Sequence, residues 1–314
     1  MLLRRKLAIF VNFSILLAMS LSLYAGDDKS KDKKAMASGT PVLWRDPGDI
    51  SSRDLFAGPG GEDMKPDLSR LTFIKEESGG YSKKYRVRDG KGRVWVAKLS
   101  KEAQSETAAT RIMWAIGYRT EIPYLVPSAN IDGKGTFENV KFEARPENVK
   151  RLDLWKWDDN PFVGTKEFQG LKVLMVLLEN WDIKDDNNKI LLSRNEQTGR
   201  DELLYIISDL GATFGRTGGV LSRTRNKPED YVEAKFINEV KGNHVDFRFS
   251  GKRQSLFDDI TIAQARWLGD LLARLSDQQI QDAFRAANYT PQQVKMLSDA
   301  LKARITELET LPQR

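Results

Sequence analysis

The segment Asp182-Ile183-Lys184-Asp185-Asp186-Asn187 sets a carboxylate, an ammonium and an amide at the spacing D-x-K-x-x-N. Asp182 suits acceptance of a proton from a substrate hydroxyl, Lys184 the neutralisation of a transferring phosphoryl group, and the Asn187 side-chain oxygen a divalent cation. Asn188 repeats that amide one place on, so the choice between the two stays open. Further along, Asp209-Leu210-Gly211 follows the apolar Ile206-Ile207. An acid at the end of a buried strand, with Gly where the chain turns, suits a magnesium ligand that bridges to phosphate oxygens. Upstream, Lys98 ends an apolar strand and Glu106 follows in the first turn of a helix, where a carboxylate would hold the Lys ammonium against a phosphate. Each segment alone has a plainer reading: a Lys that keeps an edge strand soluble, a solvated Asp/Asn turn, and a strand exit where Asp209 caps local donors. Strongly apolar runs on both sides of Asp182 tilt the balance, because they pin its acidic cluster against the core.

Other chemistry is excluded by what is missing. The chain has 314 residues, no Cys and one His. A disulfide scaffold, a thiolate nucleophile, a Cys-built iron–sulfur site and a zinc centre of several imidazoles or thiolates all need residues that are not here. The formal charge is +6, and the three basic residues within 1–25 account for half of it. With no recognition helix or Arg-rich arm later in the chain, nucleic acid is not expected as a partner.

The elements that must position these side chains follow from pattern. Residues 1–25 combine Arg4, Arg5 and Lys6 with an apolar run from Leu7 to Tyr24 and a small Ala25, which reads as an export signal. Leu23 sits where a cleavage site prefers a small residue, and 18 residues approach the length of a membrane span, so an uncleaved anchor is the competing reading. Residues 26–70 read as a flexible tether and a Pro/Gly-rich surface wrap, with Leu43, Trp44, Leu55 and Phe56 as packing points, and the globular body is expected from about Leu71. Strands are expected over 71–74, across KKYRVRD and over 93–99 with an Asp89-Gly90 hairpin, then over 123–126 and 136–144. Ala109, Ile112, Met113 and Ile116 mark one amphipathic helix ended by Gly117. Thr165 caps a largely apolar helix that leads straight into Asp182, and a hairpin of 189–192 with 203–207 separates the two acidic clusters. The last third is helical, with capping-box patterns at Ser276 and Thr290.

The order Lys98, Glu106, Asp182, Lys184, Asn187, Asp209-Leu210-Gly211 resembles the protein-kinase-like superfamily, including its secretory-pathway, lipid and HipA-like atypical members. The resemblance implies an α+β two-lobed fold, with a strand-rich lobe over 71–148, a helical lobe over 149–314 and a nucleotide in the cleft. It implies that Lys98 contacts the nucleotide phosphates, Glu106 orients Lys98, Asp182 is the catalytic base, and Asn187 and Asp209 bind magnesium or manganese for ATP-dependent phosphoryl transfer. The phosphate-covering loop is represented only by Gly79-Gly80, His-Arg-Asp is here Asn180-Trp181-Asp182, and the Phe of Asp-Phe-Gly is Leu210. The expected protein is exported, periplasmic or extracellular, and acts on an unidentified protein, lipid or glycan. It touches a membrane only if residues 1–25 are retained. A catalytically inactive pseudokinase or extracytoplasmic interaction module is the alternative. Trp155 and Trp157 are expected to pack in a seam between the lobes, His244 to be structural or solvated, and Arg216, Arg223 and Arg225 to solvate a loop or bind an anion.

Overall fold

The computed structural model describes residues 38–78 and 82–313. The segment 1–25 and the turn glycines Gly79 and Gly80 lie outside the described residues. Among the described residues no helix is long and apolar enough to cross a membrane.

The described chain opens with a short strand, β1 (Thr40–Val42). Five strands then form an antiparallel sheet: β2 (Thr72–Glu76), β3 (Lys83–Arg88), β4 (Val94–Leu99), β5 (Pro123–Ile131) and β6 (Gly135–Ala144), in spatial order β2-β3-β4-β6-β5. Alternation along them buries Tyr85, Val87, Trp95, Ala97, Val140 and Phe142 in a core of their own. Helix α1 (Ala103–Ala115) is inserted between β4 and β5. It stops at Gly117, which has φ +100°, and a Cβ there would lie 2.2 Å from the Arg45 carbonyl oxygen. Only glycine permits both the left-handed turn and that approach.

The helical lobe follows. A short strand β7 (Val149–Arg151) precedes α2 (Lys166–Leu177), whose Thr165 cap accepts from the Phe168 amide. The hairpin β8 (Asn188–Arg194) and β9 (Asp201–Ile207) comes next, then α3 (Pro228–Glu233), the hairpin β10 (Ile237–Lys241) and β11 (His244–Phe247), and helices α4 (Ile262–Leu272), α5 (Asp277–Arg285) and α6 (Pro291–Glu309). Ser276 and Thr290 form the expected capping boxes, and Thr261 forms a third. Each such cap contributes on the order of 1 kcal/mol.

Helix α1 bridges the lobes. Its Ala108, Ala109, Ile112 and Met113 belong to the same hydrophobic cluster as Leu171 and Leu174 of α2 and Phe284 of α5. The helix that carries Glu106 is therefore held by the helical-lobe core as well as by the sheet above it.

Three expectations change. The body begins well before Leu71, because β1 pairs in parallel with β9, and Leu43, Ile50 and Leu55 are buried in the helical-lobe core. Trp44 packs edge-on against Trp267 at 5.6 Å and donates its indole N–H to Ile116. The same segment is tied to both lobes, since Gln279 donates to the Ile50 carbonyl at 2.8 Å and Tyr124 donates to the Gly61 carbonyl at 2.6 Å. Side chains elsewhere satisfy its irregular backbone, so residues 40–67 are a fixed belt without a periodic signature. Phe56, proposed as a packing point, is 45% exposed. Trp155 and Trp157 pack inside the helical lobe instead of between lobes: their rings lie 5.1 Å apart, and Trp155 donates to the Ile206 carbonyl.

Candidate active site

Lys98 is the penultimate residue of β4 and turns away from the sheet core into a cleft. Its ammonium lies 2.7 Å from Glu106 Oε2, 3.4 Å from Glu102 and 3.6 Å from Asp209 Oδ1. The short interval to Glu106 works because only Ser100 to Glu102 separate strand from helix, which sets Glu106 on the first turn facing the strand it has just left. Burial pushes the Lys98 pKa down, but the carboxylates of Glu106 and then Asp209 outweigh it and leave it raised.

Register explains a second lysine that the sequence reading missed. Lys98 pairs directly with Lys141 across β4 and β6, a like-charge neighbour that a sheet tolerates only with an anion between. Glu106 supplies it, accepting from Lys141 at 2.6 Å on its other oxygen. Lys141 also donates to Glu143 at 2.8 Å, and Glu143 accepts from Arg145 at 2.5 Å. Burial raises the Glu143 pKa, yet Lys141, Arg145 and Arg151 hold it far below the usual carboxylate range. Arg151 and Ser208 close the chain on Glu121, with Ser208 donating to it at 2.8 Å. The sequence signal was the run Val140-Lys141-Phe142-Glu143, in which the charged residues alternate with core residues.

The floor of the cleft comes from the loop after α2 and the hairpin β8–β9. Pairing of Asn188 with Ile207 brings Asn187 beside Ser208 at the exit of β9, and Ser208 donates its amide to the Asn187 carbonyl at 2.7 Å. The Asn187 amide nitrogen donates to the Asp182 carbonyl at 2.7 Å. Its side-chain oxygen is thereby left as the acceptor available to the cleft. Asn188 is buried and donates to the Trp155 carbonyl, so its role is structural. Asp209 Oδ1 accepts from the Gly211 amide at 3.0 Å. Desolvation opposes its ionisation, but Lys98 and that hydrogen bond keep its pKa low. An amide oxygen and an ionised carboxylate on adjoining ends of one hairpin are hard oxygen donors that fit a divalent cation.

Asp182 has an unforeseen neighbour. Lys184 lies 3.1 Å from its Oδ2, while Lys252, from the loop after β11, lies 2.5 Å from Oδ1. The Lys252 amide also donates to the Trp181 carbonyl, so backbone and side chain dock together. No local pattern links positions 182 and 252. Trp181 is itself 5% exposed, and its indole N–H donates to the Thr224 carbonyl at 2.8 Å. Asp185, next in the motif, accepts from the Trp157 amide and pairs with Arg253, so it serves the fold.

Lys98, Glu106, Asp182, Lys184, Asn187 and Asp209 all line one cavity of about 710 Å³, which also takes in Glu102, Lys141, Glu143, Arg145, Arg151 and Lys189. His244 is exposed on β11 outside this cavity.

No protein-family model matches the chain, and no curated protein matches it in sequence. Among solved structures, the chain is similar to the proinflammatory kinase CtkA of Helicobacter pylori, at 13% identity over 78% of this chain and 97% of that one, with a TM-score of 0.49. It is more distantly similar to the Rio2 kinase of Chaetomium thermophilum, at 12% identity over 76% and 72% with a TM-score of 0.31. The amicoumacin kinase hAmiN gives 11% identity over 77% and 90% with a TM-score of 0.23. A five-stranded sheet bearing Lys98, a single helix bearing Glu106, and a helical lobe whose acidic loops meet beneath them make the fold α+β, two-lobed and protein-kinase-like.

Proposed function

We propose that the chain is an exported kinase-like protein that binds ATP with magnesium or manganese in this cleft and transfers its γ-phosphoryl group to a hydroxyl. The observation that carries the reading is the convergence of Lys98, Asp182, Asn187 and Asp209 on one cavity, with Lys98 already held by Glu106. Lys98 binds the nucleotide phosphates. Asn187 and Asp209 hold the cation, which when bound draws phosphate negative charge and orients the leaving group. As the acceptor oxygen bonds to the γ-phosphorus, the bond to the bridging β–γ oxygen breaks, ADP departs, and the acceptor proton passes to Asp182. Lys184 balances charge on the transferring group. Export rests on residues 1–25, whose basic start and apolar run are those of a signal or an anchor.

The pseudokinase reading also has specific support. Both carboxylate oxygens of Asp182 are engaged by ammonium groups, and the cavity lining includes Lys141, Glu143, Arg145, Arg151 and Lys189, where a purine ring would favour apolar walls.

Thermal stabilisation by ATP with magnesium or manganese tests nucleotide binding. A ligand present at about 100 times its Kd stabilises by roughly 2.7 kcal/mol, a rise of several degrees. Asp209→Ala should remove most of that rise. No shift of the parent with either metal would overturn the nucleotide reading.

A further inference from the structure

Of the described residues lining the cavity, ten are Lys or Arg and six are Asp or Glu. A magnesium-bound nucleoside triphosphate carries a net charge of about −2, so cationic charge remains for a second anion. The surplus on the Asp182 side has a built form. Trp181, immediately before Asp182, carries the guanidinium of Arg223 over its ring at 4.2 Å and that of Arg225 at 4.6 Å. The indole is fixed by Thr224, which lies between the two arginines, so ring and arginines form one unit. Arg225 is paired with Glu102. Among the described residues Arg223 has no carboxylate within ion-pair distance, although it lines the cavity. A guanidinium stacked by its face keeps its N–H edge directed outward, preorganised for a tetrahedral oxyanion. Lys252 lines the same cavity and is paired with Asp182, the residue after Trp181.

We propose that Arg223, stacked on Trp181, together with Lys252 is the receptor for an anionic group of the phosphoryl acceptor, and that the acceptor is a polyol already bearing a phosphate. This rests on the phosphotransfer reading above. The fork of Arg223 and the ammonium of Lys252 suit a phosphate dianion, and the Asp182 side chain is only 19% exposed, in a recess that a small hydroxyl compound enters more readily than a segment of folded protein. The acceptor phosphate would also draw Lys252 from Asp182 Oδ1, freeing the carboxylate to take the hydroxyl proton when the correct substrate is present.

The test is calorimetric binding to the full chain, with and without saturating ADP and magnesium, of glycerol 3-phosphate and of glycerol. A parallel arm uses vesicles containing lysophosphatidic acid, which offers the same phosphate monoester and a free hydroxyl on a lipid. Binding of either phosphate probe but not of glycerol, weakened about tenfold or more by Arg223→Gln, supports the receptor, and the responding arm identifies a free or lipid-borne source. Trp181→Phe should keep most of the affinity and Trp181→Leu lose it, with melting curves confirming that each variant is folded. The proposal is overturned if neither phosphate probe binds, if Arg223→Gln binds as the parent does, or if ADP with magnesium displaces the probe competitively. Arg223-dependent binding of an acidic peptide, with no response to either phosphate probe, overturns it too. ATP-induced stabilisation without phosphate-probe binding defeats this proposal alone. The converse result defeats the nucleotide reading and the acceptor role with it, and leaves Arg223 with Lys252 as an anion receptor only.

Discussion

Glu106→Gln should lower the stability of the folded chain by about 3–5 kcal/mol, one of the largest losses available to a substitution that preserves shape. Glu106 is 3% exposed and stands between the ammonium groups of Lys98 and Lys141, which face each other across adjacent strands. An amide fills the same volume, so the loss comes from leaving two buried cations beside each other without the anion that separates them. Equilibrium denaturation of parent and variant measures the difference, and a change below about 1 kcal/mol would show that solvent already screens the pair. The pH profile adds a second readout. Burial lowers the pKa of Lys98 and of Lys141, but Glu106, joined by Asp209 at Lys98 and by Glu143 at Lys141, outweighs it, and the folded values are raised. Their contribution is therefore fully present below the ordinary lysine range and is lost only as pH climbs through the raised folded values. In the Gln variant that alkaline loss should move to lower pH.

Asp182→Asn should reduce phosphoryl transfer by roughly 10²–10⁴-fold, the usual contribution of a positioned proton acceptor. The effect belongs in kcat, since the amide keeps one oxygen that accepts from Lys184 or Lys252 but cannot take the acceptor proton. Steady-state kinetics with a phosphorylated polyol, or hydrolysis of ATP by water, separates kcat from KM. Full turnover in the variant would remove Asp182 from the base role.

What the sequence revealed of this site depended on distance along the chain. Asp182 and Asn187 share one loop, Glu106 follows Lys98 after a short turn, and Asp209 leaves a strand that pairs with the one Asn187 introduces, so local pattern sufficed for each. For Lys141 and Glu143 alternation offered the face away from the core but not the neighbours, because these depend on the register of β6 against β4. Lys252 was hidden because a loop after an unforeseen hairpin delivers it. The choice between Asn187 and Asn188 turned on which amide the Trp155 carbonyl captures, a tertiary contact. The capping boxes were legible for the opposite reason: side chain and partner amide lie within one turn.

The belt over residues 40–67 has a kinetic consequence. Its hydrogen bonds reach Gln279 and Glu202 in the helical lobe and Tyr124 and Arg93 in the strand-rich lobe, so the lobes cannot separate far without breaking one set. Breathing of the cleft and local unpeeling of this strip become a single event. The backbone amides of Arg45, Arg53 and Gly58, each bonded within or beside the strip, should then exchange with deuterated solvent at the opening frequency of the cleft. A ligand that closes the cleft should slow them together, although none of them touches it.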